Sequence, residues 1–535
     1  MGHKTKVQSI KRKNSEQFYI NFPMALAHAL EFEAGEEVEW IVAEDGQLLV
    51  QRLSSPKRTA VKKNAGDPPE GVSGKFWNFW QQCRPAFSQK RCWERAGRLA
   101  LGILLNMGRH TVSRSISAIG DEQRDWSALY RLFERNRIDL SKVQKCILDH
   151  LMKKEKAKAP LLAFIDDTLL KKRGKKVSGT SWKLDPLGPK FTHNFVWAQR
   201  YMQISLGFRE KDNHCRGIPV LFKHCPVPRK PGKFASPEAF PEYKAQQKQH
   251  RLPVRAAACM EELQSRLPED LQTIFIGDGG YSNRTVIDAV KRINCYIGRI
   301  RKNSKLFSIP ETQNTGKGRK RYYGSALPSP EDIRLDDFGW QNVKASTGNG
   351  EHSFKIKSIS PVRSKITGGN NIKILIVQPL RYRLSQKTRL LYRDPAYLIC
   401  TDPQIPDAEI LQYYLWRWEI EVNFKDEKTI FRIHEPQVRT VNAVESLPEF
   451  SALIYALFLL ASKETFGDDN RFSYPKWRSP KTVWRPSTAN YLAAFRTDIL
   501  TQGANKSGFD ASLKENAMPL LFKPAWQTVI YNAAR

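Results

Sequence analysis

The chain has 535 residues, 41% of them hydrophobic and 11% aromatic, which is enough apolar matter to build cores and excludes a disordered basic tail. Its 87 lysines and arginines stand against 54 acids, a formal net charge of +33, so nucleic acid is the leading partner class and an anionic membrane surface the second. The length allows roughly three to four domains. The eight cysteines are scattered and form no C-x2-C pair, which removes a zinc ribbon; His214-Cys215 and His224-Cys225 come nearest to ligand spacing, with nothing else of ligand type around them. Thiols in a reducing cytoplasm are expected. The opening MGHKTKVQSIKRK is basic but lacks the apolar core of a signal peptide. The most apolar run, FSALIYALFLLA at 450–461, is too short to span a bilayer and is expected to be a buried helix.

Along the chain, residues 1–53 read as a small β-rich unit: an alternating strand ending at Pro23, a short helix ALAHALEF, Gly35, and two strands around a Glu-Asp-Gly turn. Ser15, Asn21-Phe22-Pro23, Leu30, Gly35-Glu36 and the hairpin resemble the AbrB/MazE-type swapped-hairpin domain, a small dimeric DNA-binding module; that family usually has Ile where Phe22 stands. Residues 54–72, with Pro, Gly and Lys and no period, read as a linker. Residues 73–158 are expected to be a helical DNA-binding domain, in which GRHTVSRSISAIG has the length of the second half of a helix-turn-helix. Arg109, His110, Arg114 and Arg131 are its candidate phosphate contacts.

The pattern then changes. PLLAFIDDT (160–168) is an apolar strand ending in Asp166 and Asp167; YMQISLGF and GIPVLFKH are further strands, followed by a long polar helix to about residue 266. LQTIFIGDGGYSN is a second apolar strand ending in an acid, Asp278, on a Gly-rich turn. Strands alternating with helices predict an α/β sheet over 159–300, interrupted by a β-rich insertion at 301–400 and resumed at 401–465; 466–535 has little clear period.

The segment YYLWRWEIEVNFKDEK (413–428) carries Tyr414, Arg417, Glu421 and Lys428 as Y-x2-R-x3-E-x6-K. On one helix these fall at roughly 0°, −60°, −20° and −40°, a single stripe, with Trp418 beside them at roughly +40°. A solvated charged face accounts for i,i+3 and i,i+4 pairs but poorly for Tyr and Trp on the same stripe. An acid between two cations and two aromatics suits a phosphodiester site, the acid for metal, the cations for phosphate, the rings for a base. Three converging carboxylates, Asp166 or Asp167 with Asp278 and Glu421, can hold two Mg2+, or Mn2+ in their place, at about 3.5–4 Å separation for phosphodiester chemistry.

Asp166-Asp167-Thr168, Asp278-Gly279-Gly280-Tyr281 and the Tyr414, Arg417, Glu421, Lys428 signature together resemble the DDE transposases of prokaryotic insertion sequences, the insertion-sequence-four superfamily with its YREK signature, over about residues 75–465. The resemblance implies an RNase H-like core with a β-rich insertion before the last acid, and Asp166, Asp278 and Glu421 as metal ligands. The family's D-x-T pattern favours Asp166 at the first acid, with Asp167 in a supporting place or as the ligand itself. It further implies that Tyr414, Arg417 and Lys428 position phosphates near the element's end and that Trp418 stacks on a displaced base, which would support a hairpin step. The function implied is binding of terminal inverted repeats with metal-dependent DNA cleavage and strand transfer, by a homodimer in a synaptic complex in a prokaryotic cytoplasm. The competing readings are a catalytically silent DNA-binding regulator and an RNase H-fold nuclease or resolvase; the intact acids argue against the first and the four-part signature against the second.

Overall fold

The structure, a computed structural model, describes residues 71–467 and 485–502 apart from 122–124, 155–158, 187, 190, 292, 311–320, 349 and 383–387, together with four strands between residues 7 and 52. The chain forms two compact units, 1–69 and 70–535.

In the first unit β1 (Val7–Arg12) pairs antiparallel with β2 (Ser15–Ile20), and β3 (Val38–Val42) with β4 (Leu48–Arg52). The first alternating run is therefore a hairpin of two strands, with Arg12 opposite Ser15, rather than one strand. The expected helix at 25–32 lies outside the described residues.

The second unit opens with five helices: α1 (Val72–Gln82), α2 (Lys90–Leu105), α3 (Val112–Ser117), α4 (Ser127–Glu134) and α5 (Leu140–Lys154). The helical period holds, but α3 has only six residues, too few for the recognition helix of a helix-turn-helix. Thr111 caps its start by accepting from the Arg114 N–H at 3.3 Å, and Gly120, at φ 67, turns the chain out of it.

The sheet has twelve strands. Central β5 (Leu161–Lys171) runs parallel to β9 (Thr273–Gly277), which runs parallel to β10 (Cys295–Arg299). On its other side β5 pairs antiparallel with the long β7 (Phe195–Arg209), whose far edge carries β6 (Ser181–Leu184) and β8 (Cys215–His224). This mixed α/β sheet, ordered β8-β7-β5-β9-β10, is consistent with an RNase H-like DDE core. The polar stretch after β8 makes two helices, α6 (Ala239–Gln249) and α7 (Leu252–Gln264), broken where Pro253 sets the first turn of the second.

Strands of the 301–400 stretch widen the same sheet. After the short strands β11 (Leu306–Phe307) and β12 (Ala326–Leu327), an intervening helix α9 (Pro330–Leu335; α8 spans Arg284–Asp288) leads to β13 (Gln341–Thr347), β14 (Gly350–Arg363) and β15 (Asn371–Val377). A two-stranded ribbon, β16 (Arg381–Tyr382) with β17 (Leu391–Tyr392), follows, and then β18 (Ala396–Cys400). β18 pairs with β10 on one side and β15 on the other, and β15 passes the ladder on to β14. The backbone groups that β10 would leave open at an edge are thereby satisfied.

Helices cover both faces. On one, α10 (Asp407–Trp416) and α11 (Trp418–Thr429) bury Ile410, Leu411, Ile420 and Phe424 against Leu162, Phe164, Ile274 and Ile276. On the other, α12 (Val441–Phe466) packs its buried Phe450 and Leu457 in one cluster with Ala163, Ile165, Phe275 and the helical layer. At 26 residues α12 exceeds the run read from sequence and is long and apolar enough to cross a membrane, but its most apolar window is 89% buried inside the fold. The last described helix, α13 (Thr488–Gln502), ties back to the helical layer where Arg496 donates to the carbonyls of Leu104 and Asn106 at 2.9 and 2.7 Å.

Candidate active site

The two strand acids sit where parallel pairing stops. β5 and β9 pair as far as Ile165 opposite Gly277, so the next residues, Asp166 and Asp278, are neighbours at the open end of that ladder. β5 itself does not end at its carboxylates, as the apolar run suggested. It continues to Lys171, because fifteen-residue β7 keeps it paired, Asp166 opposite Gln203 and Lys171 opposite Ala198.

Alternation along β5 separates the two aspartates. Leu162 and Phe164 face α10 and α11, and Asp166 continues that row; Ala163 and Ile165 face the α12 side, and Asp167 continues theirs. Asp167 accepts from the Tyr281 hydroxyl at 2.5 Å and stands 3.4 Å from Arg200. Asp166 meets Arg417, Nη1 to Oδ2 at 3.4 Å. Tyr281 enters the sequence reading only as the end of Asp278-Gly279-Gly280-Tyr281, and Arg200 not at all; only the fold shows that the residue after Gly-Gly and a residue of β7 converge on one carboxylate. Asp278 caps its own turn, accepting from the Gly280 N–H at 2.7 Å.

Tyr414, Arg417, Glu421 and Lys428 do not lie on one continuous helix. α10 ends at Trp416 and α11 begins at Trp418, with Arg417 (φ −52, ψ −28) as the joint. Its N–H is shared between the carbonyls of Tyr413 and Tyr414, and its own carbonyl takes the Ile420 N–H at 3.1 Å, a three-residue bond that tightens the chain. The side chains still gather. The Arg417 guanidinium reaches Glu421 at 2.8 Å as well as Asp166, and lies 5.7 Å from the Tyr414 ring centre. Arg417 thus bridges the first and last acids.

Electrostatics follow from this crowding. Burial pushes the Asp166 carboxyl up to about 7; the Asp167 N–H and Arg417 oppose it, while Asp278 and Asp167 add to it. Burial also pulls Lys428 down, against the acids Glu427, Asp167 and Asp166 that it faces. Trp418 is 61% exposed beside the joint. The inner side of α11 is anchored by polar contacts. Asn423 donates to the Gly217 carbonyl at 3.0 Å, and Asp426 accepts from Tyr455 at 3.1 Å and Thr488 at 2.5 Å.

On the helical layer Arg109 and Arg114 are exposed, and Arg131 pairs with Asp125 at 2.9 Å. His110 is a correction: it is only 6% exposed, and burial, with Arg496 next, brings its imidazole down to about 4. Near neutral pH it is uncharged and offers no cation to a phosphate. All eight cysteines are free thiols. Among the described residues no three His, Cys, Asp or Glu side chains stand close enough together to hold a metal ion as placed: this covers Asp166, Asp167, Asp278 and Glu421 as well as His214-Cys215 and His224-Cys225, and the convergence of three carboxylates expected from the sequence is not formed.

Residues 83–197 match the DDE superfamily endonuclease family, and residues 254–457 match the transposase DDE domain family. A search of curated proteins found no match. Asp166 and Asp167 fall in the first matched stretch, Asp278 and Glu421 in the second, and together the two matches support a DDE transposase with endonuclease activity.

Proposed function

We propose that this protein binds the terminal inverted repeats of its own element and carries out metal-dependent DNA cleavage and strand transfer. The observation that carries the reading is the convergence of Asp166 and Glu421 on Arg417, with Asp278 beside Asp166 where the β5–β9 ladder opens. The donors are hard carboxylate oxygens, the kind that suits Mg2+ or Mn2+, and the mutual repulsion of Asp166 and Asp278 is relieved by a cation. In this reading Asp166, Asp278 and Glu421 would be the metal ligands, drawing together once Arg417 gives up Asp166 and Glu421. Divalent ions held there would supply activation of the attacking oxygen and stabilisation of the leaving one.

The remaining steps belong to the chain. Tyr414, Arg417 and Lys428 hold phosphates at the element's end, Arg417 exchanging its carboxylate partners for phosphate oxygens of matching fork geometry. Asp167, held by Tyr281 and Arg200, positions the strand that presents Asp166. Exposed Trp418 stacks on a base displaced from the duplex, a contact worth about 1–3 kcal/mol that favours a hairpin intermediate. A homodimer pairs the two ends, and the N-terminal unit, read as AbrB/MazE-like, adds DNA contacts.

The test is DNA carrying the ends that flank the gene, incubated with Mg2+ and either wild type or Glu421→Ala. Excision and joining by wild type alone is the expected result. End binding without cleavage by either protein, in Mg2+ or Mn2+, would replace this reading with that of a catalytically silent regulator.

A further inference from the structure

A second cationic site lies in the helical layer, lined by none of the residues of the acid site. It is a cavity of about 400 Å3 bordered by Arg91, Arg95, Arg131, Arg135 and Arg137, with Asp125 as its one acid. Its construction is local. Arg91 and Arg95 are four residues apart on α2, and Arg131 and Arg135 four apart at the end of α4, so each pair shares a helix face. Asn136, at φ 46, then reverses the chain, and the Arg137 N–H returns to the Leu132 carbonyl at 2.9 Å, bringing a fifth guanidinium over the same opening.

Asp125 is already engaged, by Arg131 at 2.9 Å and the Ser127 hydroxyl at 2.6 Å. Among the described residues no carboxylate makes an ion pair with Arg91, Arg95, Arg135 or Arg137. Folding holds these like charges together, and their planar forks match phosphate oxygens. A smaller adjoining cavity of about 200 Å3 shares Arg95 and Asp125 and is walled by Trp126. That indole is 56% exposed and stands edge-on to Tyr130, ring centres 5.9 Å apart. An exposed ring beside the arginines suits a sugar-phosphate chain; a free phosphate would make no use of it.

We propose that this five-arginine cavity grips the phosphodiester backbone of duplex DNA at a second place, outside the acid site. The inference rests on the reading that DNA is the substrate, but its test needs no cleavage. Binding of end-bearing and unrelated duplexes is measured against salt concentration in a Glu421→Ala background, with and without Arg95→Ala/Arg135→Ala. Removing two phosphate contacts is expected to weaken both duplexes alike, by about tenfold, and to flatten the log K against log salt slope by about two. Trp126→Ala is expected to weaken binding with the slope unchanged. Arg95→Lys/Arg135→Lys guards against a folding defect: it keeps the charge and slope and loses only the affinity due to the forks.

Unchanged affinity and slope in the alanine pair overturns the proposal. Saturable pyrophosphate binding that the pair abolishes while duplex binding stays normal also overturns it, in favour of a small-anion site. A preference for RNA over DNA that is lost in the pair does the same. Wild type that cleaves, with a double variant that binds normally, defeats this inference and leaves the active-site reading standing; the reverse pattern defeats only the active-site reading.

Discussion

Asp166 and Asp167 are adjacent in the chain, yet one meets Arg417 and the other meets Tyr281 and Arg200. A strand sends neighbouring side chains to opposite faces, so only one of the pair can join Glu421, which rides on the helix over the Leu162 and Phe164 face. Under the proposed assignment Asp166→Asn removes a ligand worth several kcal/mol of charge stabilisation, and cleavage falls by about a hundredfold or more. Asp167→Asn keeps measurable cleavage and instead loosens the Tyr281 contact, seen as a lower melting temperature. Rates of strand cleavage in Mg2+ together with thermal unfolding check the pair, and the reverse ordering would exchange the two roles.

At the scale of the element, the joint between α10 and α11 matters more than either helix alone. It leaves Arg417 with a guanidinium that reaches forward to Glu421 and across to Asp166. Without DNA this positive charge competes with any cation the acids would hold. Arg417→Ala is therefore expected to bind Mn2+ in the absence of DNA about tenfold more tightly than wild type, one charge contact of roughly 1.4 kcal/mol, while end binding weakens. Calorimetric titration with Mn2+ measures it directly; equal affinity in wild type and variant would mean that the bridge does not oppose metal. The inner side of α11 is pinned through Asn423 and Asp426, which fixes the helix that carries Glu421.

Across the whole molecule one buried ion cluster joins distant parts of the chain. Glu210, after β7, pairs with Arg216 at 3.0 Å, Lys463 of α12 at 2.8 Å and Arg485 at 2.7 Å, and Arg485 also pairs with Glu419 of α11 at 2.9 Å. Burial alone would raise the Glu210 carboxyl, but the three cations outweigh it and hold it at about 2. A depressed carboxyl contributes stability that is complete above its unfolded value of about 4.3 and is lost as the pH falls toward about 2. Glu210→Gln leaves buried cations unbalanced and should cost about 3–5 kcal/mol at neutral pH, with a shallower loss of stability between pH 4.3 and 2 than the parent shows. Unfolding by urea across that range tests both statements.

The sequence by itself carried what is local: the apolar runs of the central strands, the helical period of the first layer, the hairpin of β3 and β4, and the acids with their spacing. Those features depend on neighbours a few residues away, and the chain states them directly. Tertiary structure alone decided the rest. Which face Asp166 shares with Glu421 depends on what packs over each side of β5. The 301–400 stretch joined the main sheet because β18 found β10, a pairing about a hundred residues apart that no local pattern encodes. His110 looked like a surface cation until Glu435 and Arg496 closed around it. Arg91 and Arg95 became one site with Arg135 and Arg137 only when two helices met, since convergence of like charges is a property of packing and not of spacing.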